Sequence, residues 1–420
     1  MRAKSLIVVA ALALAACTSE APRERAGAEG SAVAREILSV GTASGPLTLE
    51  VPSGSVLFER AGALVSPDGS TVYSAAVAGG STIVETIDAI SGDTRARVAV
   101  AGEHALGVVS GSGRAAALVE PLPKAWDPAM PHPRSHTTIV IADPSGQAPS
   151  RTFRLRGNYE PEAFSVDDSR LFLIQHLPAE APTVYRVTVL DLRLGDVFPV
   201  FGPYKGPPER MPGTRLEQVL APGADRLYTL YSSARPGYAP HAAPVAADAV
   251  VSFVHVLDLR EGWAHCVGLP EQLWDRPADE QAMAVSPDGS TLYVVDAAEG
   301  VVAAMDAATL ETRVVDDLPF GMDAGVTASA QVSSDGRALF VTASGSSTTL
   351  FALDAATFEI AGRWALEDPV TGLGLSSDGD RLYAASSQGL VIVDPLSGVR
   401  LADVPVPIAS PVVRISSLGG

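Results

Sequence analysis

The side chains that could do chemistry are few and unevenly spread. Of seven histidines in 420 residues, His104, His132, His136, His176 and His241 fall in or beside segments rich in proline and glycine, while His255 and His265 fall in alternating apolar stretches. His132-Pro133-Arg134-Ser135-His136 has a spacing that could bring two imidazoles to Zn²⁺ or copper, although in a loop such spacing specifies little. Glu103, Glu162, Glu217, Glu280, Asp323 and Asp368 each stand near the start of a strand-like segment. Brought together, such carboxylates could hold a divalent cation or a cationic ligand, and two of them could share acid/base work. Trp126, Tyr204, Tyr238 and Trp274 lie in the same irregular segments and could stack on a sugar or clasp a protein. The plainer alternatives are turn-stabilising histidines, a solvated acidic rim and aromatics that pin loops. No nucleophile elbow, phosphate loop, His-Glu-x-x-His helix or dinucleotide fingerprint accompanies these residues.

What must position them is a repeat. An apolar strand, a Ser-Pro-Asp-Gly-like turn and a second strand ending in an aromatic recur along the chain. The clearest copies are Val65-Ser66-Pro67-Asp68-Gly69, Val285-Ser286-Pro287-Asp288-Gly289, Ser333-Ser334-Asp335-Gly336 and Ser376-Ser377-Asp378-Gly379. Weaker copies begin at Ser110, Ser165 and Ala221. In this turn proline presets φ, aspartate bonds its own backbone and glycine accepts positive φ. After each copy comes an alternating strand ending in aspartate (Asp88, Asp143, Asp191, Asp258, Asp306, Asp354, Asp394) and a turn into another strand. These aspartates lie 40 to 67 residues apart, the lower values matching one four-stranded blade. Each is read as the cap of its own turn rather than as a metal ligand.

The stretch Ser286-Pro287-Asp288-Gly289-Ser290-Thr291-Leu292-Tyr293-Val294-Val295 closely resembles the YVTN-type β-propeller repeat, and the resemblance covers roughly residues 35 to 420. It implies an all-β fold of four-stranded antiparallel blades, and because its motif residues are turn and core residues it implies little about function. Val412 to Ser417 matches the first strand of a blade, and Ile37 to Gly45 reads as a third-to-fourth-strand hairpin with Gly41 in the aspartate place. One blade shared by the two chain ends would close the ring and remove the open edge. The count then favours eight blades, with seven as the alternative because the shared blade shows no evident second strand.

With strands lettered A to D from the inside of each blade, A–B and C–D turns lie on one face, and B–C and D–A loops on the other. The first kind are short throughout. The long insertions are of the second kind: 120–135, 175–183, 202–215, 232–249, 268–280 and 318–328. Binding sites on rigid scaffolds gather on such loops. The candidate binding residues on this face are therefore His104, Trp126, His132, His136, Glu162, His176, Tyr204, Glu217, Tyr238, His241, Trp274, Glu280 and Asp323.

The first 33 residues read differently. Met1 to Lys4 is basic and Ser5 to Ala16 is an apolar run too short for a transmembrane helix, as in a secretory signal peptide. Leu14-Ala15-Ala16-Cys17 resembles a bacterial lipobox, which implies a signal peptide over residues 1–16, a diacylated Cys17 and, with Thr18 following, an outer-membrane destination if the host is Gram-negative. Residues 17–33 then form a polar tether spanning roughly 20–24 Å, and residues 34–420 a single propeller domain. With Cys17 lipidated, no intrachain disulfide to Cys266 can form. The mature chain would carry 48 acidic against 28 basic side chains, which argues against nucleic-acid binding and leaves the lipid as the membrane contact.

Three functions fit. The first is a non-catalytic, monomeric envelope lipoprotein whose loop face binds a protein or glycan. The second is a lactonase-like hydrolase, which needs two carboxylates or histidines within about 5 Å of each other at a pocket. The third is a periplasmic carrier of a metal or redox cofactor.

Overall fold

The structure is a computed structural model that describes residues 35–42, 44–123, 131–203, 210–211, 213–232, 252–274, 276–319, 325–406, 408 and 412–418. Cys17, Trp126, Tyr204, Tyr238, His241 and Asp323 lie outside them.

The A–B turns show why the repeat folds as it does. In Ser286–Thr291 the Ser286 hydroxyl donates to Asp288 Oδ1 at 2.6 Å and accepts the Thr291 N–H at 2.9 Å, while Asp288 accepts the Ser290 N–H at 3.0 Å. The same clasp forms at Ser66/Asp68, Ser165/Asp167, Ser333/Asp335 and Ser376/Asp378. It uses the short polar side chains to satisfy backbone donors that the hairpin leaves open. Every spaced aspartate caps a C–D turn, as when Asp354 accepts the N–H groups of Ala356 and Thr357 at 2.9 and 2.8 Å. The turn glycines also fit between blades: Gly379 has φ +75°, and a Cβ there would lie 2.1 Å from Ser334 Oγ in the preceding blade's turn.

These hairpins build eight four-stranded antiparallel sheets, each in the order A-B-C-D. Blade 1 starts at Leu64–Val65, blade 2 at Ala105–Val109, blade 3 at Asn158–Phe164, blade 4 at Thr214–Leu220, blade 5 at Gln281–Val285, blade 6 at Thr327–Val332 and blade 7 at Val370–Leu375. The middle strands are packed between blades on both faces and so read as unbroken apolar runs; Leu382–Ser386 and Gly389–Val393 are buried at every position. The outer strands face solvent on one side and alternate, as in Ile360–Leu366. The core lies between blades, for example Val295, Val302, Val341, Phe351, Leu353 and Phe358 at the joint of blades 5 and 6.

Blade 8 is shared by the chain ends, with Val412–Ser417 as its strand A and Glu36–Thr42, Gly45–Val51 and Ser55–Glu59 as B, C and D. This corrects the hairpin assignment of residues 37–45. They span strands B and C, and the C–D turn is at Pro52–Gly54. The close pairing of Thr42 with Gly45 looks like a C–D turn in sequence because here the loop-face connection is as short as a turn-face one. Glu36 locks the closure. Buried at 1% exposure, its carboxylate accepts the Ser377 N–H at 3.0 Å, the Tyr383 and Ser417 hydroxyls, and Arg381 at 3.0 Å.

Candidate functional site

At the loop-face ends of blades 2 to 4 lies a cavity of about 380 Å³. Its floor is built by the starts of three inner strands: Ala105–Gly107 of blade 2, Asn158–Pro161 of blade 3 and Gly213–Arg215 of blade 4. Leu122, Pro131, His132 and Arg134 from the long B–C connection of blade 2 form one wall, and His176, Tyr185 and Tyr231 form the other.

The polar centre grows from an irregularity in strand A of blade 3. The register to strand B runs Pro161↔Leu173 and then Ala163↔Phe172, so Glu162 stands outside the ladder as a β-bulge. Proline at 161 has no N–H to give a neighbour, and bulges of this kind redirect side chains. Strand A of blade 4 carries a matching bulge between Arg215 and Glu217. Together these bring Glu160 and Glu162 to one guanidinium: Arg215 reaches Glu160 Oε1 at 3.5 Å and Glu162 Oε2 at 3.3 Å. Gln218 donates to Glu162 Oε1 at 2.7 Å, and the His176 ring nitrogen lies 3.3 Å from Glu160 Oε2.

The two carboxylates differ in surroundings. The Glu162 side chain is 2% exposed, and burial, reinforced by the Glu160 charge against the pull of Arg215 and Gln218, pushes it up to about 7. Glu160 opens onto the cavity with a side chain 48% exposed, although protein encloses it on its other sides. Burial works against its charge, but His176, Arg215 and Arg134 outweigh that effect and hold it below the usual glutamate range. Such a pair, one carboxylate kept ionised and one biased to the acid form, is the arrangement from which acid and base roles are assigned. Beneath it a ring stack carries the wall into the core: Tyr185 and Tyr231 centroids are 5.2 Å apart, and Tyr231 stacks on Phe253 at 5.3 Å.

Of the candidate residues, the structure brings His132 and His176 to the cavity wall and Glu162 to just behind it. Glu217 lies on the same strand as Arg215 but turns to blade 5, where it accepts the Met283 N–H at 2.7 Å; burial pushes it up to about 8. His104 makes a local contact with the Ala101 carbonyl at 3.0 Å. His136 stands exposed in strand C of blade 2 beside Ser135, whereas His132 lines the cavity. Trp274 pins its own loop by donating to the Leu269 carbonyl at 2.7 Å. Glu280 is buried, paired with Arg276 at 2.8 Å and accepting the Gly325 N–H at 2.7 Å. The acidic rim expected from the strand starts is thus dispersed: Glu162, Glu217 and Glu280 are each turned into a different blade joint, because burial demands a partner and the partners lie in neighbouring blades. Among the described residues no three His, Cys, Asp or Glu side chains group as a metal site.

Glu160, Arg215, Tyr185 and Tyr231 were not among the candidates. The signal available was Glu160-Pro161-Glu162, two acids flanking a proline inside an otherwise apolar strand.

No family model matches the sequence, and no curated protein matches it. Solved structures share its architecture. Apo AztD from Citrobacter koseri superposes with a TM-score of 0.54 at 12% identity, over 92% of this chain and 98% of that one. Dihydro-heme d1 dehydrogenase NirN, in complex with DHE, gives a TM-score of 0.50 at 14% identity, over 93% of this chain and 77% of that one. The periplasmic gluconolactonase PpgL from Pseudomonas aeruginosa gives a TM-score of 0.42 at 18% identity, over 91% of this chain and 99% of that one. At such identities the likeness speaks for the fold alone: the chain is a β-propeller, and its own sheets count eight blades.

Proposed function

We propose that this protein is an exported binding protein of the cell envelope, tethered by a lipid on Cys17, whose YVTN-like propeller holds a small polar ligand, or the end of a glycan, in the cavity of blades 2 to 4. The single observation that carries this reading is the half-exposed Glu160–Arg215 pair, kept in place by buried Glu162 and by His176, on the floor of a cavity on the face that bears the long loops. Fixed polar groups in a mostly apolar recess are the usual makings of a ligand site.

The opposed states of Glu160 and Glu162, and the His176–Glu160 approach of 3.3 Å, favour a second reading in which the same cavity hydrolyses its ligand. Native mass spectrometry of the full chain after exposure to a small-molecule extract separates the two. The binding reading predicts a retained compound that is released chemically unchanged and is lost in Arg215→Ala. Release of a hydrolysed product would favour the second reading, and the absence of any retained or converted compound would reject both.

A further inference from the structure

We infer that the ligand is a neutral, polyhydroxylated molecule of the saccharide class; this rests on the binding reading above and deepens it. The charges deep in the cavity are already matched to one another. Arg215 is shared between Glu160 and Glu162, and Glu160 is shared between Arg215 and His176. A ligand carrying a carboxylate or an ammonium would have to surrender its hydration and would find each deep counter-charge already paired, a poor exchange for a buried ion. The remaining charged side chains on the wall are Glu120 and Arg134, one of each sign, so the lining has no net excess of either. This neutrality stands out in a chain whose formal net charge is −18.

Hydroxyl groups suit such a lining. Each hydroxyl both donates and accepts, so it can lie against a carboxylate oxygen on one side and a guanidinium N–H on the other without breaking the pair. Leu106, Val119, Leu122 and Ile174 offer the apolar surface against which the C–H faces of a sugar ring would lie. Glu162 acts here as a positioning residue: with Gln218 it fixes one arm of Arg215 from behind, leaving the other arm and Glu160 to face the ligand.

The test uses one two-ring scaffold in three charge states. Full-length protein is titrated at pH 7 by calorimetry with the β-1,4-linked gluco-configured disaccharides cellobiose (neutral), chitobiose (cationic) and cellobiuronate (anionic). The inference predicts binding of the neutral disaccharide at least tenfold tighter than either charged one. It further predicts that Leu122→Trp, which fills the mouth without touching the polar network, abolishes that binding, and that Glu162→Gln weakens it with the fold intact by circular dichroism. Preference for a charged probe that is still lost in Leu122→Trp would overturn the ligand class while leaving the cavity as the binding site. Equal binding by wild type and Leu122→Trp, or no binding of the neutral probe, would overturn the inference; retention of some other compound in the extract experiment then shows whether the binding reading survives.

Discussion

Two joints of the ring each bury a glutamate, and they are built to opposite specifications. At the joint of blades 7 and 8, Glu36 receives donors from Ser377, Arg381, Tyr383 and Ser417, and its side chain is 2% exposed. At the joint of blades 3 and 4, Glu162 has two partners, Arg215 and Gln218, and Arg215 is divided with a second carboxylate that faces an opening. The first joint spends its polar groups on closing the ring. The second leaves a charge-matched pair half-exposed beside a recess, where a hydrogen-bonding ligand can reach it without breaking it.

The closure joint should be the more sensitive to substitution. Glu36→Ala takes an acceptor from the Tyr383 hydroxyl, the Ser377 N–H and the Ser417 hydroxyl and leaves Arg381 with Asp378 at 3.3 Å, and breaking a buried pair of this kind costs about 3–5 kcal/mol. Chemical denaturation should show the loss, and a change under 1 kcal/mol would mean that Glu36 does not lock the ring. Arg215→Ala removes the shared cation at the other joint. It should cost less, about 1–3 kcal/mol, because Glu162 can take up a proton, yet it should abolish ligand retention.

Acidity sharpens the contrast further. Glu162 at about 7 and Glu217 at about 8 lie above the ordinary 4.5 of glutamate. An acid whose folded-state value is raised stabilises the fold fully below pH 4.5, and that share is lost as pH rises through 7 and 8. The melting temperature should therefore fall between pH 4.5 and about 8 and level off above that. Glu217→Gln, relieved of an ionisation that one hydrogen bond from Met283 does little to offset, should flatten that fall; an unchanged slope would contradict the assignment. The smallest effect belongs to the repeat itself. Gly379→Ala places a Cβ against Ser334 at positive φ and should cost about 1 kcal/mol, measurable as a modest loss of melting temperature with binding intact.

The propeller was legible because its signals are local. Ser286-Pro287-Asp288-Gly289 folds its turn with its own side chains, and Asp354 caps its turn with its own carboxylate. The closure was legible in outline, since Val412–Ser417 reads as a strand A, but residues 37–45 misled because a two-residue loop-face turn imitates a turn-face one. The site was far less legible. Glu162, His132 and His176 were candidates, whereas Glu160 and Arg215 were not, because their meeting depends on two bulges and on a contact between blades that no spacing along the chain expresses. Glu280 and Trp274 looked like loop-face binding groups until Arg276 and the Leu269 carbonyl claimed them.

Binding in the cavity of blades 2 to 4 would show in hydrogen–deuterium exchange of the full chain with and without the retained compound. Protection should rise at residues 105–107, 119–122, 158–161 and 213–215, with the Glu36 closure and blades 5 to 7 unchanged. Protection centred on blades 5 to 7, or no change at residues 158–161 and 213–215, would contradict it.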